Sequence, residues 1–103
     1  MIRAGRINSV VVLGSFRVVL KKSAWSFLRK LHRSNPSYVM RIRELLILLE
    51  KIPLPIAEYD VKKLKGYENM FRVRIGDLRV IYYVDFQNKK VVILDINWRE
   101  RIY

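Results

Sequence analysis

The sequence predicts an α+β fold: one antiparallel sheet with a helical hairpin on one face, in the order β-α-α-β-β-β. Three observations carry this. Residues 71–96 hold three strand-length stretches broken at Gly76-Asp77 and at Gln87-Asn88-Lys89, the pattern of two hairpins in series. Residues 24–52 repeat apolar side chains at helical spacing, punctuated by Asn35-Pro36. A chain of 103 residues, 51% of them hydrophobic, fits one domain with one core. Each helix has a single apolar face, enough to cover one side of the sheet and leave the other open.

Taken in order, residues 1–15 carry Arg3 and Arg6, no acid, and a short apolar run, Val10 to Leu13. A basic start before an apolar stretch is the outline of a signal peptide, but this run is short and Arg17 interrupts it. The preferred reading is a leader or an extra edge strand, followed by a single domain over 16–103. Phe16 to Leu20 reads as a first strand. Ser23 is a candidate N-cap, and Ala24, Phe27, Leu28 and Leu31 form the stripe of a first helix. Asn35 as N-cap with Pro36 in the first turn starts a second helix. Its stripe is Tyr38, Ile42, Leu45, Leu49 and Ile52, and Pro53 and Pro55 end it. Val61 to Leu64 can be extended, and Gly66 can turn the chain into Phe71 to Ile75. Leu78 to Phe86 and Val91 to Ile96 complete the sheet.

There are 21 Lys and Arg against 9 Asp and Glu, a net charge of +12. Such an excess points to a polyanionic partner, whether nucleic acid, an acidic protein or an anionic membrane surface; a merely soluble basic protein is the bland alternative. With no cysteine, disulfides, thiolate metal sites and thiol nucleophiles are excluded, which fits a cytoplasmic protein. No apolar run reaches the roughly 18 residues that span a membrane. His32 has no partner at ligand spacing, and Asp77, Asp85 and Asp95 are scattered over turn and strands, so no metal or other cofactor is expected.

Strand alternation makes a sharper statement. Phe71, Val73 and Ile75 share one face, and Arg72 and Arg74 the other. On the next strand Val80, Tyr82 and Val84 look like core, which sends Arg79 to the side of Arg72 and Arg74. Arg99, Arg101 and Tyr103 follow the third strand and can close one end of this surface. Guanidinium stays charged and grips phosphate oxygens with forked donors, so a fixed cluster can stabilise charge that builds during transesterification. A solvated basic face that binds phosphate without chemistry has the same pattern. Trp98, between strand and tail, has two uses: stacking on a base, or packing.

VKKLKG at 61–66, FRVRIGDLRVIYYV at 71–84 and the tail LDINWRERIY at 94–103 resemble the RelE/ParE toxin superfamily, its archaeal RelE-like members above all. The resemblance covers roughly 16–103 and implies a curved antiparallel sheet with two helices on one side. It implies a toxin of a toxin–antitoxin system that enters the ribosomal A site and cuts mRNA without a metal, using the RNA's own 2′-hydroxyl as nucleophile. The implied partners are a RelB-like antitoxin, the ribosome and mRNA, with no membrane and no small-molecule cofactor. By that resemblance Arg79 and a tail arginine, Arg99 or Arg101, hold the scissile phosphate. By the same resemblance Arg72 and Arg74 stabilise charge and bind rRNA or mRNA. Lys65 of the Leu-Lys-Gly turn and Trp98 are further candidates for RNA binding, read from their place beside these arginines rather than from the family. Some RelE-type enzymes have lysines where this chain has Arg72 and Arg74, and an arginine is a poor general base. Tyr103 is then the candidate for proton transfer. Two alternatives stay open: a ParE-like toxin that inhibits DNA gyrase by binding, and a non-catalytic basic module. A membrane-binding second helix is disfavoured because Glu44 and Glu50 dilute its basic face.

Overall fold

A computed structural model of the chain describes residues 15–98. The elements are β1 (Arg17–Leu20), α1 (Lys22–Ser34), α2 (Pro36–Leu49), β2 (Asp60–Lys63), β3 (Met70–Ile75), β4 (Leu78–Asp85) and β5 (Lys90–Trp98). The strands form one sheet in the order β1-β5-β4-β3-β2. Neighbours from β2 to β5 run antiparallel, while β1 lies parallel to β5. The expected α+β arrangement is present, as a five-stranded mixed sheet. The extra strand is the extended stretch before Gly66, which pairs with β3. The parallel pair sets Arg17 beside Lys90, a contact so distant in sequence that no local pattern records it. Among the described residues, no helix is long and apolar enough to cross a membrane.

The alternation in β3 and β4 is realised residue by residue. Val73 lies opposite Val80 and Phe71 opposite Tyr82, all four buried. On β5, Val91, Ile93 and Ile96 continue this buried layer. Ala24 and Leu31 from α1 and Ile42, Leu45 and Leu49 from α2 close it from above. The odd step from Ile93 to Ile96 has a cause: Ile81 is opposite Asp95 but Tyr82 is opposite Ile93, so Leu94 is the extra residue of a β-bulge. The bulge changes the phase of β5. After it, Ile96 and Trp98 turn to the helices, and Asp95 and Asn97 to the open face.

Two local expectations give way. Ser23 is not a cap; Lys21 holds the N-cap position of α1, and the Ser23 hydroxyl donates to the Leu94 carbonyl at 2.9 Å. Long-range pairing with the bulge has won over local capping. Ile52 does not extend the α2 stripe, because the helix ends at Leu49 and Ile52 is 40% exposed beyond it. A residue before proline is pushed out of the helical region, which fits a helix that stops short of Pro53. Asn35 does occupy the N-cap position with Pro36 in the first turn, but its Oδ1 accepts from the Ser37 hydroxyl rather than from the backbone.

The β3–β4 turn depends on Gly76, whose φ is +58°. A Cβ there would run into the Tyr38 hydroxyl, which accepts a hydrogen bond from the Asp77 amide at 3.2 Å. Gly76→Ala should therefore strain the backbone and displace Tyr38. The expected loss is about 1–3 kcal/mol, read as a lower midpoint in urea with an unchanged slope.

Candidate phosphate-binding face

The sheet face away from the helices is ordered in rows by the ladder. One row runs Asp60, Arg74, Arg79, Asn97 across β2, β3, β4 and β5. The next runs Lys62, Arg72, Ile81, Asp95. The three strand arginines thus meet on one side, as alternation requires. Arg74 and Arg79 are direct cross-strand partners, where like charges repel unless something lies between or beside them.

Something does. One oxygen of Asp60, Oδ2, sits 3.3 Å from Arg72 Nη2 and 3.7 Å from Arg74 Nη1. The Arg72 side chain is only 16% exposed, and its buried Nε has no hydrogen-bond partner among the described residues. Asp60 is 49% exposed, so water and ions reach the pair. Arg79 is held differently: its Nε donates to Asn97 Oδ1 at 3.3 Å, and Asn97 Nδ2 donates to Asp95 Oδ2 at 2.8 Å. The face is a cationic surface with its own anions, one in direct contact with two arginines and one set back behind an amide.

The other sequence-predicted site residues fall as follows. Lys65 lies in the β2–β3 turn, beyond the Lys63–Phe71 rung and at the other end of β3 from Arg74. Trp98 is not brought to the arginines. It lies on the helix side, edge-on to Phe27 at 6.1 Å and to Tyr38 at 5.6 Å between ring centres, which is the packing use. Arg99, Arg101 and Tyr103 lie outside the described residues, as does the expected leader up to residue 14. Tyr83 shares the open face and is 37% exposed, but it is four residues along β4 from Arg79, about 13 Å, too far to share one phosphate with it. His32 lines a groove on the helical hairpin with Trp25, Leu28 and Val39, across the sheet from the arginines. Asp85 caps the β4–β5 turn, where hydrogen bonds from the Asn88 side chain and then its amide hold the carboxyl below its ordinary range.

Sequence reasoning missed Asp60 and Asn97. The signal for Asp60 was register, which the turn at Gly66 could have supplied. The signal for Asn97 was a phase switch inside an apolar run, Val91 to Leu94 followed by Asp95-Ile96-Asn97-Trp98.

The sequence matches the ParE toxin of the type II toxin–antitoxin system parDE over residues 18–103. The chain belongs to this toxin family. It is 37% identical to the RelE1 protein of Methanocaldococcus jannaschii over 76 residues, 74% of this chain and 84% of that one. Its fold is similar to RelE in the archaeal RelE–RelB complex of Pyrococcus horikoshii, with a TM-score of 0.75 and 34% identity, covering 84% of this chain and 98% of that one. The Mycobacterium tuberculosis RelBE2 toxin–antitoxin complex contains a chain similar at a TM-score of 0.67 and 26% identity, covering 82% of this chain and 99% of that one. The protein is a toxin of a toxin–antitoxin system, of the RelE kind.

Proposed function

We propose that this toxin cuts mRNA in the ribosomal A site, in the cytoplasm, with the substrate's 2′-hydroxyl attacking the adjacent phosphate. The observation that carries the reading is the convergence of Arg72, Arg74 and Arg79 on the open sheet face. Arg79 grips the scissile phosphate and stabilises the charge that builds on its oxygens. Arg72 and Arg74 bind the flanking RNA backbone, with Lys65 extending the basic strip. Arg99 or Arg101 supplies the second phosphate contact, and Tyr103 serves proton transfer. A RelB-like acidic antitoxin, the counterpart of RelB in the Pyrococcus complex, neutralises the toxin by covering this charge.

Primer-extension mapping of mRNA on programmed ribosomes tests this. Cuts within the A-site codon, absent on naked RNA, are expected. Arrested growth with intact mRNA would instead favour the ParE-like alternative, a toxin that inhibits DNA gyrase by binding.

Asp60 gives a second test. A phosphate that approaches Arg72 and Arg74 must compete with its carboxylate. Asp60→Asn is expected to tighten binding of a short single-stranded RNA by roughly 3–10-fold at low salt and to steepen the fall of affinity with salt. Fluorescence anisotropy across a salt series reads both; weaker binding would mean that Asp60 organises the arginines rather than competing for them.

A further inference from the structure

We propose that Asp95 and Asn97 are positioning residues for Arg79, presented by the bulge at Leu94; the inference rests on the reading of Arg79 as the phosphate-binding arginine. Asn97 lies directly across the ladder from Arg79 and accepts a hydrogen bond from its Nε–H, while Asp95 lies across from Ile81 and accepts from the Asn97 amide nitrogen. The polarity of this chain follows from the inventory of donors. An ionised Asp only accepts and a guanidinium only donates, so the amide between them has one satisfactory orientation, nitrogen towards Asp95 and oxygen towards Arg79.

The arrangement does two things for phosphate binding. Fixing Nε sets the plane of the guanidinium, and no described residue bonds its terminal nitrogens, which leaves the forked end for a ligand. Setting the carboxylate back by one residue avoids a direct ion pair. Asp60, by contrast, sits on Arg72 and Arg74 themselves and competes for them. Arg79 is thus oriented by an anion that does not occupy its binding edge.

The bulge makes this possible. Without Leu94 as an extra residue, strict alternation from Val92 would put Leu94 and Ile96 on the open face and Asp95 and Asn97 among the helices. The Leu94 carbonyl is held by Ser23 at 2.9 Å and the Ile93 carbonyl by the Lys21 amide at 2.9 Å, so the start of α1 fixes the bulge from behind.

The test uses the full chain with Asn97→Ala, Asp95→Asn and, as a control with the same charge change on the same face, Asp85→Asn. Steady-state cleavage of ribosome-bound mRNA is one readout. The exchange of the Arg79 Nε–H with water, followed by NMR and assigned through its loss in Arg79→Lys, is another. The third is affinity for a short single-stranded RNA. Asn97→Ala is expected to speed the exchange, to lower kcat by roughly 10–100-fold with KM within about twofold, and to weaken RNA binding. Asp95→Asn should fall between it and wild type, and Asp85→Asn should match wild type. The proposal is overturned if Asn97→Ala keeps a slowly exchanging Nε–H, or if Asp85→Asn impairs the protein as much as Asp95→Asn. If wild type itself does not cut ribosome-bound mRNA, the functional reading falls. The exchange rates and RNA affinities then decide the relay alone, and an Asn97→Ala affinity equal to wild type sinks it.

Discussion

Arg79→Ala is expected to abolish growth inhibition and to lower mRNA cleavage by at least about 100–1,000-fold, while the protein stays folded. The fold should survive because the Arg79 side chain belongs to the open face and not to the buried layer. Its removal also takes away a like charge directly opposite Arg74, so stability should hold or rise slightly. The chemistry should fail because charge grows on the phosphate oxygens during attack, and a donor fixed before the reaction stabilises that state more than the ground state. Arg79→Lys separates charge from geometry. Lysine keeps the cation but has neither the fork nor an Nε–H for Asn97, so most of the activity should still be lost. Primer extension on ribosomes, with circular dichroism melts of the same preparations, reads both. An Arg79→Ala protein that remains fully toxic would show that the open face is not the active one.

Much of this face could be read before any coordinates, because a strand obeys a period of two. Once Val73, Val80 and Tyr82 are assigned to the core, Arg72, Arg74 and Arg79 have nowhere else to go. The helices were legible for the same kind of reason: Ala24 and Leu31, then Ile42, Leu45 and Leu49, recur at helical spacing and are all buried. What escaped involves contacts between distant segments. The pairing of Arg17 with Lys90 is settled by tertiary register, on which local pattern is silent, while that of Asp60 with Arg74 depends on how the turn at Gly66 closes the β2–β3 hairpin. Four apolar residues in a row, Val91 to Leu94, concealed the phase change on β5, so neither the turn of Trp98 towards Phe27 nor that of Asn97 towards Arg79 could be placed. Ser23 was misread because a serine ahead of an apolar stripe is a cap by local rules, whereas the bulge it serves lies 71 residues away.

The largest effect on stability is expected at Tyr82. Its side chain is fully buried at the centre of β4, beside Phe71 with ring centres 5.7 Å apart. Its hydroxyl donates to the Pro53 carbonyl at 2.8 Å, tying the segment after α2 to the sheet. Tyr82→Ala opens a cavity in the buried layer and leaves that carbonyl unpaired. The expected cost is about 3–5 kcal/mol, a large part of the stability of a domain this size, and it should show as a collapse of the urea midpoint. Tyr82→Phe keeps the packing and removes only the hydrogen bond, for about 1–2 kcal/mol. The pair of variants also separates a pH effect. Burial pushes the Tyr82 hydroxyl well above its ordinary value near 10, so the folded state holds this proton more tightly than the unfolded chain. A group raised in this way contributes stability that is fully present below about pH 10 and is lost as pH climbs from there towards the folded value. Above pH 10 the wild type should therefore lose stability more steeply than Tyr82→Phe, by up to about 1.4 kcal/mol per pH unit at 25 °C. Parallel pH profiles for the two proteins would mean that the phenol is not shielded as its burial requires.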